Sequence, residues 1–405
     1  MSHHLPDTLT RTLSPHLELG KSRLQTLSWL IIGLVNARTV NLSHLASQCC
    51  GSAQLSSSYR RLQRFFQYVS LEGDWLALAV VKLLKLRPPW VLCLDRTNWK
   101  IGRHDVNILM LAIATQRFRI PLMWTVLDKA GSSNQCERIA LMRRYLALFS
   151  SGSIAWLLAD REFIGGQWIK FLLENNILFA IRVKENSYIR LQDGRCYQLK
   201  TLLRKPAGFK RLQSRPARLE AMDESLGTPL HFAAKRLGDG ELLIVASNGP
   251  AKTALKAYRR RWQIECLFAD SKTRGLNLED TRLTQPGKLN TLLVIITLAM
   301  AWAYACATAI KGTKSIKTRA HGYRTKSWFR LGFDQLRKWI LHQPERAAEI
   351  WRRIWPKRKC TFQTARVVQC GGSDGTDTKQ LLWVLIGMRD RWAFVQKYRR
   401  GCSKT

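Results

Sequence analysis

Residues 254–274, ALKAYRRRWQIECLFADSKTR, decide how the rest of the chain is interpreted. The stretch contains no Gly or Pro, so it predicts one long helix. At 100° per residue, four polar side chains share one face within an arc of about 60°. They are Tyr258, Arg261, Glu265 and Lys272. A carboxylate set among cations and an aromatic hydroxyl suits a metal-dependent reaction on a polyanion, whereas the alternative is an amphipathic helix with solvated charges.

The charge of the whole chain points in the same direction. Its 405 residues include 66 Lys and Arg against 28 Asp and Glu, a formal net charge of +38. Such an excess repels itself unless a polyanion neutralises it, and nucleic acid is the commonest polyanion. A hydrophobic content of 46% with 15 Trp is ample for packed cores, and the length predicts two to four domains.

Cysteine usage and the N-terminus predict a cytoplasmic protein. The ten cysteines form no CxxC pair and no Cys/His group at zinc spacing, which is typical of reduced thiols. The opening residues MSHHLPDTLT lack the basic and then apolar layout of a signal peptide. Residues 291–310, TLLVIITLAMAWAYACATAI, are uncharged and long enough to cross a bilayer. We interpret them as the buried core helix of a large domain, and a basic membrane-associated protein stays as the alternative.

Residues 1–86 predict a helical N-terminal domain. Its last helix, SSSYRRLQRFFQYVS, carries Arg60, Arg61 and Arg64 beside aromatic residues. A short helical domain that ends in a basic helix is suited to place that helix in the major groove of DNA. A plain helical bundle with a basic surface fits the same pattern equally well.

After Pro88-Pro89 the pattern changes to apolar runs of strand length. WVLCLD, VNILMLAIAT and RIPLMWTVLD predict three strands, and residues 134–149 predict a helix with Asn134 and Glu137 as a capping box. SIAWLLAD, GGQWIKFLLENN and ILFAIRVK then predict a strand, a helix and a strand. This is the element order of the ribonuclease H-like fold. In that fold an acid on the first strand and an acid after the fourth lie side by side, as Asp95 and Asp160 would.

The predicted architecture is therefore α/β, with a ribonuclease H-like catalytic domain as its centre. Glu265 completes a set of three acids with Asp95 and Asp160, although either aspartate alone is more typical of a strand-end turn or a helix cap. Turn residues and short apolar clusters between the fifth strand and the long helix predict a β-rich insertion. The predicted regions are 1–86 (helical, DNA-binding), 87–184 with 251–310 (catalytic), 185–250 (insertion) and 311–405 (basic, helical, for DNA contact or dimerisation).

The chain resembles, over roughly residues 90 to 310, the bacterial insertion-sequence DDE transposases of the branch that carries the YREK motif, insertion-sequence family four. The resemblance implies that Asp95 in LCLDRTNW, Asp160 in LLADREF and Glu265 hold the catalytic metal ions. It also implies that Tyr258, Arg261 and Lys272 grip phosphates near the cleavage point. Arg182 and Lys184 are weaker phosphate candidates, since they equally well cap the fifth strand with solvated charge.

The implied activity is magnesium-dependent cleavage and strand transfer of DNA at the ends of an insertion sequence, by cut and paste. Three converging carboxylates repel one another unless divalent cations lie between them, and oxygen-only ligands favour Mg²⁺, with Mn²⁺ as the alternative. Two ions roughly 3.5 to 4 Å apart serve both the attacking and the leaving oxygen. The resemblance further implies a homodimer on paired double-stranded DNA ends, associated with the bacterial nucleoid in the cytoplasm and not with a membrane.

Some members of this branch pass through a DNA hairpin and stack a flipped base on a Trp of the last insertion strand. Here that strand reads ELLIVASN, and no Trp lies between Trp168 and Trp262. The candidate substitutes in the insertion are Tyr188, Tyr197, Phe209 and Phe232. Two other functions remain open from the sequence: a ribonuclease H-like nuclease that cuts without joining, and a catalytically silent DNA-binding regulator derived from a transposase.

Overall fold

The computed structural model describes residues 4–49, 53–71, 74–203, 212–213, 217–219, 229–238, 240–312, 314–320, 324–355 and 365–367. Phe209 and most of the predicted region beyond residue 355 lie outside this described part of the chain.

Helices build the N-terminal part of the chain. They are α1 (His4–Leu13), α2 (Lys21–Ala37), α3 (Leu42–Ala46), α4 (Leu55–Tyr68) and α5 (Asp74–Leu83), with a short strand β1 (Val69–Leu71) before α5. The side chain of Asn41 accepts a hydrogen bond from the Ser43 N–H and so begins α3. Helix α2 is apolar over most of its surface, and α1, α3 and α4 all pack against it. It is therefore the core helix of this part.

The central sheet follows the predicted order of elements. Its elements are β2 (Trp90–Ile101), β3 (His104–Ala114), β4 (Arg119–Leu127), α6 (Gln135–Leu148), β5 (Ile154–Ala159), α7 (Gly166–Glu174) and β6 (Phe179–Val183). Strands β2, β3 and β4 form an antiparallel meander, and β5 and β6 continue on the other side of β2 in parallel. This mixed sheet fits the ribonuclease H-like fold. The predicted capping box of α6 is confirmed, with reciprocal bonds of 2.8 and 2.7 Å between Asn134 and Glu137.

The insertion is rich in strands where it is described, and part of it lengthens the central sheet. Its elements are β7 (Tyr188–Arg190), β8 (Cys196–Gln198), α8 (Leu199–Leu202), β9 (Leu212–Gln213), β10 (Arg218–Leu219), β11 (His231–Arg236) and β12 (Leu242–Ser247). Strand β12 pairs antiparallel with β6, then β11 and β9 follow. Among the described residues the sheet therefore has eight strands, and β10, β7 and β8 form a separate small sheet.

The decisive stretch is helical but not one continuous α-helix. Helix α9 (Ala251–Tyr258) passes through a 3₁₀ turn (Arg259–Arg261) into α10 (Trp262–Ser271), so the prediction of a single uninterrupted helix is wrong at this turn. The backbone stays in the right-handed helical region there, with φ −55° and ψ −34° at Arg261. Within this turn the carbonyl of Arg260 accepts a bond from the Cys93 thiol on β2, a tertiary contact that spacing cannot reveal. Lys272 lies just past the end of α10.

Helix α11 (Pro286–Lys311) is the long apolar helix of the sequence. It is long and apolar enough to cross a membrane by composition, but 83% of its most apolar 18-residue window is buried inside the protein. Thr291 in this helix bonds with the backbone of β1, and Trp124 of β4 donates to Asn290. These contacts agree with the interpretation of a buried core helix.

The C-terminal described elements pack on α11 and on the N-terminal helices. They are α12 (Trp328–His342), α13 (Pro344–Ile354) and β13 (Ala365–Val367). Helix α12 crosses α11 so closely at Gly332 that a Cβ there would lie 1.8 Å from the Ala303 carbonyl oxygen. Helix α13 contacts α1, and β13 pairs with β1. The two ends of the described chain thus pack together beside the sheet.

Candidate active site

Asp95 lies on the central strand β2, one residue beyond the point where that strand loses its parallel partner. The last pair of the β2–β5 ladder is Leu94 with Ala159. The Asp95 side chain is only 14% exposed, and its Oδ1 accepts a 2.8 Å bond from the Arg96 N–H. The Asp95 carboxylate is therefore largely buried and held in a fixed orientation where the β2–β5 ladder ends.

Asp160 follows β5 directly and lies beside Asp95. It stands at the start of a 3₁₀ turn (Arg161–Phe163), and the Phe163 N–H donates to its carbonyl. Its side chain is 27% exposed. The Tyr258 hydroxyl lies 3.5 Å from its Oδ1, at the limit of a hydrogen bond. Because both strands end their shared ladder here, the two aspartates emerge at the same edge, as predicted.

Glu265 reaches the same point from α10, and Arg261 joins the three acids. The Arg261 guanidinium lies 2.7 Å from Asp95 Oδ2, 2.7 Å from Glu265 Oε1 and 3.8 Å from Asp160 Oδ2. Its side chain is 12% exposed, whereas that of Glu265 is 40% exposed. Three carboxylates that are far apart in the chain thus converge on one cationic group.

A second set of contacts holds α10 in place. Arg119 on β4 donates from Nε to Asp270 Oδ2 at 2.7 Å, and Asp270 is almost fully buried. The Tyr304 hydroxyl of α11 donates to the Arg119 carbonyl at 2.9 Å. These bonds fix α10 against β4 and α11, so that its first turn presents Glu265 to the aspartates.

The Arg261 guanidinium lies between the carboxylates that are predicted to hold divalent cations. In this arrangement, no group of three or more His, Cys, Asp and Glu within the described part of the chain has the geometry of a metal site. The donors are nonetheless carboxylate oxygens arranged around a single positive charge, a set that suits Mg²⁺ or Mn²⁺. The residues therefore fit such an ion on condition that Arg261 withdraws.

Burial and charge shift the pKa values of these groups. Burial raises the pKa of Asp95 to about 6, against the opposing effects of the Arg261 charge and the Arg96 N–H. Burial also raises the pKa of Tyr258 well above its usual range, which keeps its hydroxyl a neutral donor. For Arg261, burial lowers the pKa, but the surrounding carboxylates of Asp95, Asp160 and Glu265 raise it above its ordinary value. Arg261 is thus a permanent cation in this cluster.

The raised pKa of Asp95 predicts a pH dependence of stability in metal-free protein. The folded state holds this proton to about pH 6 while the unfolded chain loses it near pH 4, so the contribution is full below pH 4 and is lost as pH rises through 6. The free energy of unfolding of the wild type, minus that of Asp95→Asn, should fall by roughly 2 to 3 kcal/mol between pH 4 and 7. Urea titrations in EDTA measure it, and a difference independent of pH would contradict the burial argument.

Lys272 does not join the acids but lies further along β2. Its Nζ is 2.7 Å from Glu279 Oε1, 3.4 Å from the Asn98 carbonyl oxygen and 5.4 Å from the centre of the Trp99 ring. The predicted helical face therefore divides: Tyr258, Arg261 and Glu265 meet at the acids, and Lys272 stands beside β2 four positions past Asp95.

Arg182 and Lys184 lie at the end of β6, next to β5. Arg182 is paired with Glu241 and is near enough to Tyr258 to lower its pKa slightly against the effect of burial. Lys184 is exposed. Both are therefore on the side of the site that faces the insertion.

Two features of the site escape prediction from sequence. Trp262, next to Arg261, is 65% exposed, an unusual setting for a tryptophan. Arg96 and Glu162 form an ion pair with two contacts of 3.3 Å beside the two aspartates. The sequence marks Arg96 and Glu162 only by their positions, one residue after Asp95 and two residues after Asp160.

Sequence comparison adds one finding to this geometry. The sequence model of the family described as Transposase DDE domain matches residues 86–302, more than half of the chain. The match covers the central sheet, the insertion and most of α11, and it includes all three acids. No curated protein is detectably similar to the chain in sequence.

Proposed function

The chain belongs to the transposase DDE domain family, and on that premise we propose that it cuts and joins DNA at the ends of an insertion sequence. A transposase acts on DNA, and this family generally uses divalent metal ions. The finer proposal is a magnesium-dependent, cut-and-paste enzyme of the YREK branch. The observation that supports it best is the convergence of Asp95, Asp160 and Glu265 on one cationic group at the end of the central strands.

Asp95, Asp160 and Glu265 are the residues that would hold two divalent cations, Mg²⁺ or alternatively Mn²⁺. When bound, the cations supply Lewis acidity that activates a water or 3′-hydroxyl and stabilises the leaving oxygen of a phosphodiester. In the metal-free protein Arg261 offsets the mutual repulsion of the three carboxylates. Withdrawal of Arg261 would leave the three carboxylates to hold the cations, and its guanidinium would then be able to bind a DNA phosphate through two parallel bonds.

The remaining YREK residues would seat the DNA strand beside the acids. Tyr258 offers a neutral hydroxyl as a hydrogen-bond donor, and Lys272 offers a positive charge farther along β2. Arg182 and Lys184 are proposed as additional phosphate contacts on the side of the insertion. Because Lys272 and Arg182 are already paired with Glu279 and Glu241, their contact with DNA requires exchange of those partners.

A hairpin intermediate, if the reaction uses one, needs an aromatic platform for a flipped base. Phe232 is fully buried and unsuitable, whereas Tyr188 is 52% exposed on β7. Trp262 is more exposed still and adjoins Arg261 in the chain. We therefore propose Trp262, rather than an insertion residue, as the stacking residue, since base stacking on an aromatic side chain contributes about 1–3 kcal/mol.

Helix α4 is proposed to read the DNA sequence of the element's ends. Its outward stripe, which we call the reading stripe, consists of Arg60, Gln63, Arg64 and Gln67, all exposed and spaced at helical intervals. No acid occurs between Glu18 and Glu72. Arg and Gln are the side chains that bind guanine and adenine edges through paired hydrogen bonds. Arg61, in contrast, is not part of the stripe, because it lies over the Trp29 ring and bonds to Thr26 of α2.

Alanine substitution of Arg60 or Arg64 should selectively weaken recognition of the element's ends. Loss of one paired contact to a base costs about 1–3 kcal/mol, so affinity for end DNA should fall about 5- to 150-fold, and affinity for scrambled DNA much less. Fluorescence anisotropy with the two duplexes measures both values. Arg11→Ala, an exposed arginine on α1, is the control and should change the two affinities alike. Equal losses on both duplexes for Arg60→Ala and Arg64→Ala would reduce the stripe to a general phosphate contact.

The chain's assembly and location are proposed from its family. We propose a homodimer that pairs two element ends, in the bacterial cytoplasm at the nucleoid and without a membrane. We also propose the four predicted regions as the organisation of the chain, with residues 1–86 for end recognition and residues 311–405 for DNA contact or dimerisation.

A catalytically silent DNA-binding regulator is the second candidate function. The observation that favours it is Arg261, whose guanidinium takes the position among the carboxylates that cations need. If the three acids cannot release Arg261, the chain binds DNA without cutting it.

One experiment separates these functions. The purified full chain is incubated with Mg²⁺ or EDTA, a labelled duplex made from the DNA that flanks the coding region on each side, and a target plasmid. The proposed function predicts cleavage at the element's end and joined products in Mg²⁺ alone. Binding without cleavage would indicate the regulator, and cleavage without joining would indicate a nuclease.

A further inference from the structure

The parallel ladder between β2 and β5 ends one residue before the two aspartates. Leu94 and Ala159 are its last pair, so no backbone pairing of these two strands holds Asp95 and Asp160 at a fixed separation. An ion pair takes over at this level. Arg96 Nε and Nη2 lie 3.3 Å from the two carboxylate oxygens of Glu162. We call this pair the Arg96–Glu162 clasp.

The clasp is attached directly to both aspartates. Arg96 adjoins Asp95 in the chain, and its N–H donates to Asp95 Oδ1 at 2.8 Å. Glu162 belongs to the 3₁₀ turn that Asp160 begins. The clasp therefore links the chain next to Asp95 to the chain next to Asp160. The opposite charges cancel, so the clasp adds no net charge beside the acids.

The clasp is anchored to a rigid part of the sheet. Arg96 Nη1 donates to Asn107 Oδ1 at 3.1 Å, and Asn107 is 1% exposed. The Asn107 amide in turn donates to the carbonyls of Lys129 and Gly131, both at 2.9 Å. The Arg96 and Glu162 side chains are 15% and 25% exposed, so solvent screens them far less than a surface pair. Asn107, through which Arg96 is anchored, is thus itself held in place.

We propose that Arg96 and Glu162 are positioning residues that set the separation of Asp95 and Asp160 and thereby the affinity of the site for divalent cations. The proposal rests on the proposed function, in which these aspartates hold the cations. Neither clasp residue is assigned contact with metal or DNA. Partners that orient metal ligands typically change metal affinity or activity by about 10- to 100-fold when they are removed.

The test compares single and exchanged charges in the full-length protein. The variants are Arg96→Glu, Glu162→Arg and the double exchange, with Arg96→Lys and Glu162→Gln as milder changes in case a charge reversal prevents folding. Arg144→Glu is the matched control, because Arg144 makes a comparable two-contact pair with Asp74 away from the acids. For each variant, calorimetry measures Mn²⁺ affinity without DNA, and thermal melting measures stability. The Mg²⁺ concentration that gives half-maximal cleavage of end DNA is a third measurement.

The single reversals should weaken Mn²⁺ binding about 10- to 100-fold and raise the half-maximal Mg²⁺ concentration in proportion. The double exchange should restore Mn²⁺ affinity to within about twofold of the wild type, as expected for a true pair. Arg144→Glu should lower the melting temperature alone. Single variants that bind Mn²⁺ like the wild type, or a double exchange no better than the singles, would overturn the proposal. A wild type that neither binds Mn²⁺ nor cleaves DNA would overturn the proposed function as well.

Discussion

Replacement of Asp95, Asp160 or Glu265 by alanine is expected to reduce cleavage of end DNA by at least about a thousandfold, because a metal ion contributes several kcal/mol to the transition state and each 1.4 kcal/mol is tenfold in rate. Binding of end DNA should remain nearly unchanged, since each substitution removes negative charge and leaves every phosphate-binding cation in place. The fold should survive, because Arg261 keeps two of its three carboxylate partners in each variant.

The measurement is single-turnover cleavage of a labelled end duplex in Mg²⁺, with binding followed on the same duplex in Ca²⁺. Asp105→Ala is the matched control, because Asp105 is an exposed carboxylate on β3 next to β2 and has no contact with the acids. Near-normal cleavage by any one of the three variants would show that its residue is misassigned. Loss of binding together with cleavage would indicate instead that the acids support the fold.

The sequence predicts the strand order of the catalytic part well because local pattern decides it. The run WVLCLD forms the start of β2 and the run SIAWLLAD contains β5. Most residues of both runs are buried on both faces of the sheet. An acid at the end of each run therefore lies at the edge where the two parallel strands stop pairing. That is why Asp95 and Asp160 could be paired from sequence although 65 positions separate them (160 − 95).

Contacts between distant elements could not be predicted in the same way. A helical projection shows which side chains share a face but not what that face meets. Arg261 is predicted to face DNA, yet in the structure it lies among the carboxylates. The reason is that β2 and β5 bring two acids close to Arg261 and to Glu265 in the first turn of α10. The contact of the 3₁₀ turn at residues 259–261 with Cys93 and the clasp between Arg96 and Glu162 are long-range contacts of the same kind.

The insertion shows the same limit at a larger scale. Turn residues and short apolar runs predicted its strands, but nothing in them specified the edge on which they would pair. In the structure β12 pairs with β6, so the insertion continues the central sheet on the side of Asp160. Arg182 on β6 is thereby bonded to Glu241 at the start of β12 instead of standing as a simple strand cap.

Arg261→Gln should have opposite effects on metal binding and on catalysis. Without the guanidinium, three carboxylates face one another with no counter-charge, and removal of one partner from a buried ion pair typically costs about 3–5 kcal/mol. We expect the free energy of unfolding in EDTA to fall by about 3 kcal/mol, since Glu265 is partly exposed and the loss is toward the lower end of that range. Arg260→Gln is the matched control, the same substitution at the exposed neighbouring position, and should change stability by less than about 0.5 kcal/mol.

Mn²⁺ should restore the stability of Arg261→Gln and should bind it more tightly than it binds the wild type, because the ion no longer has to displace a guanidinium. A ligand that binds only the folded state stabilises it in proportion to the logarithm of its concentration over its dissociation constant, so denaturant titrations at several Mn²⁺ concentrations give both quantities. Cleavage of end DNA should nevertheless fall, because the freed guanidinium is the proposed phosphate contact. If the variant is as stable as the wild type in EDTA and binds Mn²⁺ no better, then Arg261 does not act as the counter-charge of the acids. If the variant binds Mn²⁺ better and also cleaves DNA faster, then Arg261 inhibits the enzyme by competing with the metal ions for the carboxylates and is not a DNA ligand.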